Sequence, residues 1–464
     1  MNPTHSATRL LILSLLRRHG REATSFQILE PGLQYYFFGA GDGEGVAAYA
    51  DVGGAWVTVG EPVCAPERMN AMVEEFARVA RERGKRLRFF HVSESFAERP
   101  GLRSTHIGEQ PIWDPASWHV TVAQHRSLRD QLKRAQKKGV AARLVSSSEL
   151  ADPESATRKG CESLIARWLS SRRMGEMKFM VLVHPWEFAE ERRFALAEQD
   201  GKLVGLAVAI PVYAQGGWFI EDLLRDPDAP NGTAELLVDA LFSAFASEGS
   251  HYATLGLAPL SGELGRMLTL TRDTTNRLYN FTGVRAFKEK LRPQRWDPVH
   301  LAFPRGELGV LALRDVLAAF APGGLVPFAV NTLVHQRRLA TLLLAALLVP
   351  WTIGLSLVDG PRWFPTPALH WAWVIFDVLL IGLMFSLVRR WRSWVAGTVV
   401  ALTSLDALLT TLQTLLWNVW TTRGALEWFL VILGCTGPLL AATFFWATRL
   451  VSVRGLLQRP ISPP

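Results

Sequence analysis

Residues 216–240 read GGWFIEDLLRDPDAPNGTAELLVDA. Alternating apolar residues on both sides of Gly216-Gly217 predict a β-hairpin. The second strand runs into Glu221, Asp222, Arg225 and Asp226, a loop ends at Ala229-Pro230, and a helix-spaced run follows that Gly249 stops. The same punctuation occurs earlier, in GVAAYADVGGAWVTVGEPVCAPERMNAMVEEFARVARERGKRLRFFHV. There the hairpin glycines are Gly53-Gly54, the loop ends at Ala65-Pro66, Gly84 stops the helix, and the strand RLRFFHV closes the unit. Two passages with the order strand, strand, proline loop, helix, glycine, strand are most simply two copies of one α/β lobe.

The copies differ after their second strand. The first has Thr58-Val59-Gly60-Glu61-Pro62, whereas the second carries the Glu221-Asp222 pair and Arg225. Since the first copy turns without that cluster, the charges of the second are expected to face a substrate. Ligands of open α/β sheets sit where strands splay and a helix begins. Asn231-Gly232-Thr233 is expected to supply that helix start, with Glu235 completing a capping box.

The chain has 464 residues, 49% of them hydrophobic, and a net charge of +8, which suits anionic lipid or nucleic acid. Cys64, Cys161 and Cys435 lie far apart, which excludes a disulfide framework or a zinc ribbon and fits a reducing compartment. No HExxH, Walker A or GxSxG motif is present, so no metal site or cofactor is expected.

Two basic stretches stand out. In RSLRDQLKRAQKKG, residues 126–139, helical spacing puts Arg126, Arg129, Lys133 and Lys137 on one face and Leu128, Leu132 and Ala135 on the other. Such a helix would dock by its aliphatic side and offer cations to phosphates of tRNA or lipid; a solvated surface helix is the plain alternative. In RAFKEKLRPQRW, residues 285–296, a strand would send Lys288, Lys290 and Arg292 to one face.

Beyond residue 335 lie four apolar runs, Leu339 to Val358, Ala368 to Val388, Trp394 to Trp417 and Trp428 to Val451. Each has the roughly 20 residues a membrane-spanning helix needs. Arg337, Arg338, Arg389, Arg390, Arg392, Arg449 and Arg454, with His335, flank one side of the runs, against Arg362 and Arg423 on the other. The positive-inside rule therefore predicts cytoplasmic termini and a cytoplasmic front part. Leu10 to Leu16 is too short to span and is expected to form an amphipathic helix rather than a signal peptide. Asp377 and Asp406 fall mid-span, where each requires neutrality, a partner or a polar cavity. Gly434, Gly437 and Pro438 suggest a kink or close packing in the last run. The expected organisation is a first lobe over 1–116, a second lobe with the active site over 117–303, an amphipathic interfacial linker over 304–335, and a four-helix transmembrane domain over 336–464.

DGKLVGLAVAIPVYAQGGWFIEDLLRDPDAPNGTAELLVDALF, YATLGLAPLSG, RAFKEKLRPQRWDP, RSLRDQLKRAQKKG and ARWLSSRRMGEMKFMV together resemble, from about residue 18 to 303, the catalytic domain of the bacterial phosphatidylglycerol lysyltransferases. The resemblance implies an α/β fold of tandem GCN5-related acyltransferase-like (GNAT-like) lobes, here followed by an all-α bundle of four transmembrane helices. It also implies transfer of an amino acid, lysine or alanine, from aminoacyl-tRNA to phosphatidylglycerol at the bacterial cytoplasmic membrane. Partners would be aminoacyl-tRNA, phosphatidylglycerol and the anionic bilayer, with self-association through the spans. Asp222 and Arg225 match the family's Asp-Leu-Leu-Arg step and inherit a catalytic or aminoacyl-binding role. Glu221, Asn231, Gly232, Thr233, Lys288 and Lys290 are the substrate-binding candidates. Family members carry a membrane-embedded flippase ahead of the catalytic domain, whereas the spans here lie behind it, so lipid flipping is not implied.

An aminoacyl ester is already activated. Its transfer needs alignment, removal of a hydroxyl proton and oxyanion stabilisation. Asp222 would hold the ammonium or accept the proton, and Arg225 would bind phosphate or steady that carboxylate. The competing readings are aminoacylation of a peptidoglycan precursor, an acyl-CoA-dependent N-acyltransferase, and a non-catalytic membrane scaffold. No Arg-x-x-Gly-x-Gly pyrophosphate loop opens the helix after residue 230, which counts against the coenzyme A reading.

Overall fold

The computed structural model describes residues 3–39, 43–172, 177–261, 281–321, 323–324, 327–328 and 337–457. Pro322 and His335, and with them most of the linker beyond residue 324, lie outside the described residues, as does the side chain of Arg454. The chain divides into two compact units, one ending at residue 325 and the other beginning at 326.

In the first unit the helix α1 (Pro3–His19) buries Ile12, Leu13, Leu15 and Leu16. The first lobe then runs β1 (Gln34–Phe38), β2 (Gly45–Asp51), β3 (Ala55–Val59), β4 (Val63–Cys64), α2 (Met69–Glu82) and β5 (Arg86–Val92), followed by α3 (Glu94–Ala97) and β6 (Leu102–Trp113). Helices α4 (Trp118–Gln124) and α5 (Arg126–Lys137), strand β7 (Val140–Val145) and helix α6 (Ala156–Ser170) lead into the second lobe. It comprises β8 (Arg193–Gln199), β9 (Lys202–Val212), β10 (Gly217–Arg225), α7 (Thr233–Ser247), β11 (Ala253–Thr254) and β12 (Ala258–Pro259). Helix α8 (Phe281–Lys290), β13 (Arg295–Pro304) and α9 (Gly309–Phe320) complete the unit.

The repeat holds in three dimensions. An antiparallel hairpin, a crossover helix and a parallel return strand form β2–β3–α2–β5 and again β9–β10–α7–β11, with Val57 paired to Arg88 in one and Trp218 to Ala253 in the other. A parallel return needs a crossover, and a helix supplies it while covering the sheet face. α2 does so with Met69, Met72, Val73, Phe76 and Ala80, a stripe at helical spacing. β13 inserts between β5 and β6, and β6 pairs with β11, so the thirteen strands among the described residues belong to one sheet.

Two local expectations change. Residues 285–290 are the end of α8, not a strand, and β13 begins only at Arg295. The four-residue spacing of Phe287 and Leu291 prevails over the alternation of lysines, because that spacing puts both against the second-lobe core, where Leu291 is fully buried. The charged run after Ile220 is also not a turn: β10 continues through it, pairing with β9 as far as Arg225 opposite Gly205.

The second unit consists of α10 (Arg337–Leu357), α11 (Pro367–Arg389), α12 (Ser393–Gln413), which continues through a π-turn to Thr421, and α13 (Ala425–Leu457). Among the described residues, four helices are long and apolar enough to cross a membrane. α10 packs on α11 and α12 on α13, around Leu380, Met384, Val399 and Phe445. Asp377 accepts a hydrogen bond from Thr352 Oγ1 (3.3 Å) and Asp406 one from Thr410 Oγ1 (2.9 Å), so both buried carboxyls have hydroxyl partners. α13 runs unbroken through Pro438, and Gly434 lets the Trp351 ring approach closely, as a Cβ there would stand 3.1 Å from it.

Candidate functional site

The site begins with one extra residue. In the β9–β10 pairing Ile220 faces Ala209, but Asp222 faces Val208, which leaves Glu221 as a β-bulge. Ile220 and Ala209 lie in the core under α7, whereas Val208 and Leu224 lie in the core under α6. The bulge therefore moves Asp222 to the sheet face opposite Ile220, where strict alternation would have kept both on one face.

On that face the buried 3-10 segment Ala23–Leu29 meets the bulge. Gln27 Nε2 donates to Glu221 Oε1 (3.0 Å) and to the Met180 carbonyl (3.1 Å), and stands 3.5 Å from Glu30 Oε1. Arg192 Nη1 bonds Glu221 Oε2 at 2.6 Å. Arg9, 3% exposed, pairs with Glu187 at 2.7 Å and donates to the Leu29 carbonyl. Arg9, Glu30, Leu182, Arg192 and Glu221 line a narrow cleft.

Electrostatically the cleft is short of positive charge. Burial, then the neighbouring Glu221, pushes Asp222 up to about 8, with only Arg192 opposing. Burial, then Glu221 and Asp222, likewise holds Glu30 well above the carboxylate range. No hydrogen-bond donor among the described residues reaches the Asp222 carboxyl, which is 9% exposed. Three carboxyls thus share one guanidinium, an arrangement suited to an incoming ammonium or to proton transfer near neutral pH.

Other predicted residues are not brought to Asp222. Arg225 pairs with Gly205 on the opposite face, two residues beyond Leu223, and its Nη1 bonds Asn231 Oδ1 (3.2 Å) and the Ala229 carbonyl (3.4 Å). Arg192, not Arg225, steadies the carboxylates. The expected capping box is absent: Gly232, which has no side chain to accept a bond, holds the N-cap with φ 101°, and Glu235 pairs with Lys290 (2.6 Å) instead of reaching back to it. A Cβ on Gly232 would lie 2.3 Å from the Gln131 carbonyl of α5, so the glycine permits α5 to cross the start of α7. Thr233, fully buried, donates to the Pro230 carbonyl (2.8 Å). Lys288 is internal and gives its three hydrogens to the carbonyls of Leu255, Gly256 and Leu257, each at 2.8 Å, in the segment following β11; burial pushes its ammonium down to about 7.

Helix α5 is amphipathic as expected: Leu128, Leu132 and Ala135 are buried, and Arg126, Lys133 and Lys137 exposed. Arg129, however, turns back to the carbonyls of Val122 and Ala123 at the end of α4. The sister position in the first lobe is not vacant either. Glu61 accepts from Ser93 N (2.9 Å) and Ser93 Oγ (2.6 Å) ahead of α3, so its carboxylate serves the fold. Glu30, Gln27 and Arg192 carried no local signal, since nothing near them in sequence predicts their meeting residue 221.

Residues 13–303, more than half of the chain, match the family model for the C-terminal part of phosphatidylglycerol lysyltransferase. A phosphatidylglycerol lysyltransferase of Bacillus subtilis is 23% identical over 310 residues, covering 63% of this chain and 34% of that protein. The lysylphosphatidylglycerol biosynthesis bifunctional protein LysX of Mycobacterium marinum is 23% identical over 321 residues, 64% of this chain and 28% of that protein. The chain spans about a third of the length of the curated relatives it matches. In structure it is similar to L-PGS from Bacillus licheniformis, with TM-score 0.56, 22% identity and coverage of 67% of this chain and 94% of that one. It is also similar to the C-terminal domain of an Agrobacterium fabrum protein assigned as a lysylphosphatidylglycerol synthetase, with TM-score 0.59, 24% identity and coverage of 69% and 99%. These likenesses establish the tandem GNAT-like fold, and the family match identifies the chain as a member of the phosphatidylglycerol lysyltransferase C-terminal family.

Proposed function

We propose that this protein is a membrane-anchored aminoacyltransferase that moves a lysyl or alanyl group from aminoacyl-tRNA to a glycerol hydroxyl of phosphatidylglycerol, with its first unit on the cytoplasmic side. The observation that carries the reading is the buried cluster in which Glu30, Glu221 and Asp222 share Arg192, with Glu30, Arg192 and Glu221 lining the cleft beside the enclosed Asp222. An aminoacyl ester brings an α-ammonium, and a lysyl ester a second one. Either would supply the missing positive charge, favour ionised carboxylates and align the ester carbonyl.

Glu30 and Glu221 hold the ammonium in this scheme. Asp222, pushed up to about 8, is a base matched to neutral pH. It takes the proton of the glycerol hydroxyl as that oxygen bonds to the ester carbon, and returns it to the ribose oxygen as the old ester bond breaks. The exchange of one ester for another consumes no net proton and needs no metal, because the tRNA ester supplies the activation. The exposed cations Arg126, Lys133 and Lys137 of α5 would meet tRNA phosphates.

The test is transfer itself. The protein in phosphatidylglycerol vesicles is incubated with radiolabelled aminoacyl-tRNA and the mixture extracted with chloroform. Label in phosphatidylglycerol is expected; label only in a peptidoglycan precursor, or in neither, overturns the proposal.

A further inference from the structure

Helix α9 lies beyond residue 303, where the family match ends. One side of it is fastened to the first lobe. Ala312, Val316 and Ala319 enter the core, and Asp315 receives Arg86 (2.9 and 3.0 Å) and the wholly buried Arg88 (3.1 Å), which also meets Glu307 at 2.5 Å. The other side exposes Leu308 (66%), Val310 (56%), Leu311 (39%) and Leu317 (52%), four large apolar side chains on about three turns. Charge is sorted the same way: Glu307 and Asp315 turn inward to the arginines of β5, while Arg305 and Arg314 remain exposed.

From these observations we infer that the outer face of α9 is the surface by which the transferase unit docks on an anionic bilayer, its leucines at the headgroup–acyl boundary and its arginines among lipid phosphates. An apolar stripe flanked by outward cations, with the acids withdrawn, is the pattern of an interfacial helix. Lipid rather than a protein partner is favoured by the chain itself. Fifteen residues separate Ala321 from Arg337, where the first apolar helix starts. At ~3.3–3.6 Å per residue they reach at most about 55 Å, which tethers α9 within that distance of the first apolar helix.

The face is joined to the cleft. Phe320, at the end of α9, packs its ring against Phe90 (5.4 Å) and Phe179 (5.3 Å), and its carbonyl accepts from Lys178 N (3.2 Å). The next residue, Met180, offers its carbonyl to Gln27, which holds Glu221. Val181, 44% exposed, precedes Leu182 at the rim of the cleft. Docking through α9 thus brings the cleft's rim to the lipid surface, where a lipid acceptor resides.

The inference is tested by depth and not by turnover, so it stands or falls independently of the transfer reading. The full chain carrying Cys435→Ala, with an environment-sensitive fluorophore on Leu311→Cys or on Leu317→Cys, is reconstituted in vesicles of phosphatidylglycerol and phosphatidylethanolamine; Cys64 and Cys161 are buried. A third label at Glu154→Cys, whose side chain is 80% exposed, reports a polar, solvated segment ahead of α6. Expected are blue-shifted emission and at least twofold quenching by lipids brominated along their acyl chains at 311 and 317, with none at 154. Emission at 311 and 317 that matches 154 overturns the inference. Energy transfer between labelled copies that rises with protein density, without lipid quenching, overturns it in favour of a second copy of this chain on that face.

Discussion

Replacing Asp222 by Asn should abolish transfer and at the same time make the protein more stable above neutral pH. The carboxyl is enclosed, reached by no described donor, and pushed from an ordinary 3.8 up to about 8. The unfolded chain releases this proton near 3.8 while the folded protein keeps it to about 8. Between those values the native state binds the extra proton, so stability falls as pH rises. At ~1.4 kcal/mol per pH unit the full span sets a ceiling of roughly 5–6 kcal/mol. Glu30 and Glu221 share the field, and local relaxation takes part of it, so the measurable effect is about 2 kcal/mol. Asparagine keeps the shape and cannot ionise. Purified wild type and Asp222→Asn in detergent would be melted at pH 5 and pH 8, following tryptophan fluorescence, since Trp56, Trp113 and Trp118 are all buried in the first unit. The variant's advantage should grow between the two pH values by about 4–6 °C. An equal gap at both pH values would show that Asp222 ionises freely in the folded state, and the proposed base would lose its physical footing.

Four other variants separate structure from function. Gly232→Ala should destabilise by about 2–3 kcal/mol, seen as a lowered melting temperature, because the residue holds φ 101° and a Cβ would stand 2.3 Å from Gln131 O; an unchanged melt would return Gly232 to a purely substrate-binding role. Lys133→Glu with Lys137→Glu should weaken aminoacyl-tRNA binding most at low salt and reduce the slope of log K against log salt by about two, whereas Arg129→Ala should act on stability, since Arg129 secures the end of α4. Lys288→Met leaves the carbonyls of Leu255, Gly256 and Leu257 without their donor and should lower stability by a few kcal/mol. The same lysine makes wild-type stability rise as pH climbs from about 7 towards 10.5, because there the unfolded chain retains a proton that the native ammonium has released. Lys288→Met should lack that rise in melting temperature.

Local periodicity alone determined much of this protein. Four apolar runs of spanning length, the strand–strand–helix–strand repeat and the two-faced helix of residues 126–137 are all written at short range, and the structure carries each of them. Tertiary structure decided the site. A one-residue bulge, set by how β10 registers on β9, chose the face on which Asp222 lies, and no pattern within β10 itself contains that choice. Gln27 and Glu30 meet Glu221 from the far end of the first lobe, and Arg192, not the nearby Arg225, became the partner of the carboxylates. Lys288 turned inward because the apolar spacing of Phe287 and Leu291 had a core to face. Side-chain period is a property of the chain, whereas register and burial belong to the partner a strand or helix finds, and it is burial beside like charges that pushes the carboxyl of an ordinary aspartate up toward neutral pH.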